Sequence, residues 1–173
     1  PSNAMRSVLF CLLTLYFPSM AQSPATPGSL NFRKQCIASE AFESVNVYDI
    51  DKDGTLDLFS GSFWYKGPDF VRRSFVGPLT RTGEYYDDFS TIVLDVNRDG
   101  NPDVITGGWF EGTLVWKENP GKNGPWTEHI IARCGNIETT QAWDIDGDGV
   151  PEIIPNTPRK PLVIYRLRSS ATH

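Results

Sequence analysis

Hydrophobic and polar positions alternate along this chain in short runs, and no long window keeps a helical period. Three runs, Val45-Asn46-Val47-Tyr48, Thr91-Ile92-Val93-Leu94 and Thr140-Gln141-Ala142-Trp143, each enter an acidic stretch. Three more leave it: Leu56-Asp57-Leu58-Phe59, Asp103-Val104-Ile105-Thr106 and Glu152-Ile153-Ile154. Successive side chains of a strand point to opposite faces, so these runs predict β-strands. After a turn marked by Gly61 or Gly107, a third strand is expected at Phe63-Trp64-Tyr65, at Thr113–Trp116 and, in the last group, at Leu162–Tyr165. A fourth closes the first two groups, at Val71–Val76 and Trp126–Ile131. The last group lacks one, and the run Phe32–Ile37 is read as a strand that could supply it.

The acidic stretches are copies of one loop. Asp49-Ile-Asp51-Lys-Asp53-Gly54-Thr55-Leu-Asp57 recurs as Asp95-Val-Asn97-Arg-Asp99-Gly100-Asn101-Pro-Asp103 and as Asp144-Ile-Asp146-Gly-Asp148-Gly149-Val150-Pro-Glu152. Side-chain oxygens stand at positions 1, 3, 5 and 9, glycine at 6, and the backbone carbonyl at 7 accepts any residue type. A hard cation needs six to eight oxygen ligands from a short backbone, so the loops predict Ca²⁺. Lys52 and Arg98, at position 4, are expected to face solvent. An EF-hand would carry a Glu at position 12 between helices; here position 12 is Ser60, Thr106 or Pro155 and the flanks are strands. The loops begin 46 and 49 residues apart. Four short strands per unit of that length is the blade of a β-propeller. The expected fold is all-β, with blades of four antiparallel strands and about three blades, an incomplete or an assembling propeller. A closed ring takes about four to eight blades.

These D-x-D-x-D-G-x-x-D loops, followed by Ser60-Gly61 or Thr106-Gly107, resemble the FG-GAP/VCBS repeat family over roughly residues 30–168. The resemblance implies calcium loops that join the first two strands of each blade, with the ion in a structural role. The stretch Trp116–Gly121 with Trp126–His129 is similar to blades of large exported propellers, some in polysaccharide- or sugar-acting proteins.

The ends and the composition add a cellular setting. Pro1–Ala4 resembles an expression scar, and residues 5–21 read as a signal peptide: Arg6, an apolar run from Val8 to Phe17, then Ser19-Met20-Ala21. The run is too short to span a membrane as a helix. Residues 22–30 are a linker and 31–173 the repeats, giving a secreted or periplasmic chain without a transmembrane segment. Cys36 and Cys134, the cysteines outside the leader, are candidates for a disulfide or for two free thiols. The formal net charge is −5, with 21 acids against 16 bases. Eleven of those acids occupy loop ligand positions, and three bound Ca²⁺ would bring the chain near neutrality. A nucleic-acid partner is therefore not expected.

Catalytic chemistry is thin. No Ser-His-Asp or Cys-His order stands out, and His129 lies alone on an outer strand. Asp88 beside Tyr86, with Glu138, could act on sugars as carboxylate and tyrosine, or could be ordinary turn residues. Trp64, Tyr65 and Trp109 follow the glycine turns and suit stacking on a sugar ring or packing between blades. The expectation is a secreted calcium-binding module that contacts carbohydrate or protein. The alternative is part of a sugar- or polysaccharide-acting lyase or dehydratase, and an enzyme is the less favoured reading. Copies assembling, or further blades, are open alternatives for how the ring is completed.

Overall fold

The computed structural model describes residues 32–168; the scar, the signal peptide and the linker assigned above all lie outside the described residues. Residues 32–35 group apart from the chain that follows, and the description below concerns residues 36–168. Every regular element described is a strand. Among the described residues no helix is long and apolar enough to cross a membrane.

The first unit is the sheet β1 (Asn46–Tyr48), β2 (Asp57–Ser60), β3 (Phe63–Tyr65) and β4 (Arg73–Phe75), antiparallel and in that spatial order. A two-residue loop at Gly83-Glu84 then joins β5 (Arg81–Thr82) to β6 (Tyr85–Tyr86), a small hairpin that the pattern did not predict. The second unit is β7 (Ser90–Leu94), β8 (Asp103–Gly107), β9 (Thr113–Glu118) and β10 (Thr127–Arg133), again in sequential order. The third opens with β11 (Thr139–Trp143) and β12 (Glu152–Asn156). All three loops leave the same register, with Asp57 opposite Tyr48, Asp103 opposite Leu94 and Glu152 opposite Trp143. Among the described residues the sheets do not close into a barrel.

Two expectations are corrected here. Leu162–Tyr165 is not a full strand: only Tyr165 pairs, with Ile153, while Leu162, Val163 and Ile164 stay exposed. Residues 32–37 form no strand, because Arg33-Lys34-Gln35 interrupts the alternation and leaves no apolar face to bury.

The core lies between units rather than inside one. Ile50, Phe59, Val76, Val104 and Trp126 form one cluster, between the first and second sheets. Ile92, Ile105, Leu114, Ile137 and Ile153 form another, between the second sheet and the third unit. Adjacent residues Val104 and Ile105 thus serve opposite faces, which is why every residue of β8 is buried. Entry strands of neighbouring units run beside each other, β1 near β7 and β7 near β11. Equivalent hydroxyls join them: Ser44 Oγ to Thr91 Oγ1 at 2.6 Å, and Ser90 Oγ to Thr140 Oγ1 at 2.9 Å.

Ile105 has no exposed surface, so Ile105→Ala is expected to lower unfolding free energy by about 2–5 kcal/mol in urea titration. Ile130 is 55% exposed on β10, and Ile130→Thr should stay within about 0.5 kcal/mol of the parent.

Candidate metal loops and ligand surface

Each loop is held by one lattice of hydrogen bonds. At position 1, Asp49 accepts from Asp53 N (3.0 Å) and Gly54 N (2.9 Å), and Asp95 from Asp99 N (3.1 Å) and Gly100 N (2.9 Å). Asp144 accepts from Gly147 N (2.8 Å) and Gly149 N (2.9 Å). At position 5, Asp53, Asp99 and Asp148 accept from the N–H of Thr55, Asn101 and Val150 at 2.9, 2.7 and 2.8 Å. Glycine at position 6 is required by the backbone, with φ of 87°, 88° and 87° at Gly54, Gly100 and Gly149.

Position 9 does something the motif alone does not reveal. Asp57 and Asp103 are fully buried and Glu152 is 2% exposed. Asp57 accepts from Ile50 N at 3.0 Å and from Gly67 N at 2.8 Å, so one carboxylate ties the loop to the segment beyond β3. Asp103 repeats this with Val96 N at 3.0 Å and Asn119 N at 2.7 Å. Glu152 keeps the first contact, with Ile145 N at 2.9 Å, and replaces the second by Arg166 Nε at 3.0 Å. Burial raises the Asp57 and Asp103 carboxyls above the ordinary range, against the pull of those amides.

The two loops with an acid at position 3 bring three carboxylates together. Carboxylate oxygens of Asp49, Asp51 and Asp57 converge within 4.8 Å of one another, and so do those of Asp144, Asp146 and Glu152. In the second loop Asn97 replaces the acid at position 3, and its amide nitrogen donates to Asp99 at 3.1 Å and to Glu118 at 3.2 Å. Lys66 Nζ bonds Asp51 and, at 2.5 Å, Asp53. Those two acids push its ammonium up to about 12. Lys52 is exposed, and its Nζ reaches Gly100 O at 3.1 Å and Asn101 Oδ1 at 3.0 Å in the next loop.

The other candidates separate. Tyr65 is 4% exposed and Trp64 packs against the first core cluster, so both are taken up by packing. Tyr86 is half-buried, edge-on to Phe42 at 4.8 Å. Glu138 is exposed, with its backbone N–H bonded to Asn156 O. His129 stacks on Trp116 at 4.4 Å and meets Glu118 Oε2 at 2.7 Å. Cys36 and Cys134 are free thiols rather than a disulfide; Cys36 is exposed with Sγ toward Ala38 O, while Cys134 packs in the second cluster. Asp88 is 2% exposed and accepts from Glu43 N at 3.2 Å. Burial pushes its carboxyl up to about 6, with the Glu43 carboxylate adding to the rise and buried Lys117 opposing it.

Trp109 belongs to an aromatic group that sequence spacing did not assemble. Phe89 lies 6.5 Å from Tyr85, 6.5 Å from Trp109 and 6.0 Å from Phe110. Asp87 sets the turn by accepting from Phe110 N (2.8 Å) and Glu111 N (2.9 Å), and a Cβ on Gly108 would fall 2.4 Å from its carboxylate. Asp87 and Glu111 also line a cavity of about 390 Å³ that includes Thr80, Thr106 and Lys117.

Asp103→Asn puts an amide donor against a backbone N–H and should lower stability by about 1–3 kcal/mol even with chelator present, read by urea unfolding. For Asp88 the folded-state value, about 6, exceeds the ordinary 3.8. The native state therefore holds the proton more tightly, and stability falls as pH rises through that window. The loss amounts to at most about 3 kcal/mol. Asp88→Asn should flatten this segment of the stability–pH curve, measured from pH 4 to 7.

No curated protein and no solved structure gives a significant match to the chain. Residues 95–154, spanning the second and third loops, match the family model of the FG-GAP-like repeat. The first loop, ahead of that span, is built on the same lattice and register, so it is similar to the two loops that match the FG-GAP-like repeat.

Proposed function

We propose that this chain is an exported repeat module whose propeller-type blades are stabilised by Ca²⁺ and whose surface binds carbohydrate or protein. The observation that carries the metal reading is the threefold lattice, which gathers carboxylates at positions 1, 3 and 9 of the first and third loops. Such convergence is repulsive without a positive charge, and a divalent ion offsets it while pinning the first hairpin of each blade. Asp49, Asp51, Asp53 and Asp57 would serve the first loop, with the Thr55 carbonyl. Asp95, Asn97, Asp99, Asp103 and Asn101 would serve the second, and Asp144, Asp146, Asp148, Glu152 and Val150 the third.

The ligand reading rests on the Tyr85–Phe89–Trp109–Phe110 group. Tyr85 is 52% exposed and Phe110 41%, and flat rings with a neighbouring acid-lined cavity suit stacking on sugars or on a peptide loop. The lyase or dehydratase alternative draws no support from Asp88, which is enclosed and engaged with Glu43 and Ser44.

A ligand bound only by the folded state raises its stability by mass action. Scanning calorimetry of the protein in millimolar Ca²⁺ should therefore give a higher Tm than in EGTA; equal values would remove the structural-calcium reading. Tyr85→Ala with Phe110→Ala should leave that shift intact while abolishing retention on a glycan array or protein-ligand column.

A further inference from the structure

Strand register makes three residues equivalent although their sequence spacing hides it. The residue after loop position 9 pairs with the third strand at Leu58–Tyr65, Val104–Lys117 and Ile153–Tyr165. The next residue along is then Lys66, Glu118 or Arg166. All three side chains reach back to their own loop. Lys66 holds Asp51 and Asp53; Arg166 Nε lies 3.4 Å from Asp146 Oδ2 and 3.0 Å from Glu152 Oε1. Glu118 Oε1 meets Asn97 Nδ2 at 3.2 Å, and its other oxygen is held by His129.

The signs are compensatory. A base stands where the loop has acids at all four ligand positions, and an acid stands where position 3 is Asn97. We infer that this register position sets each loop's demand for Ca²⁺: Lys66 and Arg166 are tethered cations that close the first and third loops without metal, and Glu118 completes the second loop, which takes Ca²⁺ first. The inference rests on the calcium reading above. A tethered ammonium or guanidinium supplies the charge those carboxylates need, so Ca²⁺ must displace it. Among the described residues no such group lies on the carboxylates of the second loop; Lys52 sits at the rim, on a carbonyl and an amide oxygen. Glu118 adds a hard oxygen ligand beside Asn97, oriented by His129, and restores the acid that position 3 lacks.

The test is calorimetric titration of chelator-stripped full-length protein with CaCl₂. The wild type should show one tight site and two weaker ones. Lys66→Met should tighten one weak site, and Arg166→Met the other, each by about tenfold, the scale of one unit charge removed at close range. Glu118→Gln should weaken the tight site by a similar factor. Lys66→Gln, which keeps a hydrogen-bonding side chain, should match Lys66→Met and guards against a folding defect in the latter. Three sites of equal affinity, or isotherms unchanged by these variants, would overturn the inference while leaving calcium binding intact. No heat of binding in any of the proteins would overturn the calcium reading itself, and this inference with it.

Discussion

A buried carboxylate at position 9 of each loop fastens the structure. Its two oxygens reach in opposite directions, one to the backbone N–H of position 2 and the other to the chain just past the third strand. The first contact closes the loop upon itself; the second fixes how far strand three lies from the first hairpin. Removing a charged group from water is costly, and the raised carboxyls of Asp57 and Asp103 record that cost. Two directed amide donors compensate it, and strict register follows because the donors exist only in that register. The acids at positions 1, 3 and 5 are arranged around this anchor and remain in contact with solvent.

Beyond the anchor, the units cohere as layers. Val104 and Ile105 feed separate clusters on the two faces of the second sheet, so neighbouring units share cores that none could build alone. Hydroxyl pairs across the entry strands add direction to this otherwise nondirectional packing, since Ser44 meets Thr91 as Ser90 meets Thr140. The connector Asp87-Asp88 works in both respects. Asp87 shapes the aromatic turn, and Asp88 joins the entry to β1 to the entry to β7.

Much of this was legible in the residues. Short apolar runs bracketing the acidic glycine loops placed the entry and exit strands to within a residue or two, because each loop joins its two flanks in the same register. Apolar content without a covered face misled at Leu162–Tyr165, where only Tyr165 finds a partner. The residues left Tyr65 open between stacking on a ligand and packing, because local pattern does not encode what covers a strand; the structure buries it beside Phe63. The equivalence of Lys66, Glu118 and Arg166 was hidden for a geometric reason. They lie nine, fifteen and fourteen residues beyond position 9, since the turn between the second and third strands varies in length. Only pairing across the sheet aligns them.

The division of labour within the loop has a consequence for how such repeats erode. Acids at positions 3 and 5 are exposed and engage only their own loop and the residue that reaches back to it, so a copy that loses them keeps its hairpin. The acid at position 9 holds two strands, so a copy that loses it gives up the blade. A degenerate repeat retaining only its glycine and its ninth-position acid is still a structural unit, and counting metal motifs alone underestimates how many blades a chain of this kind contains.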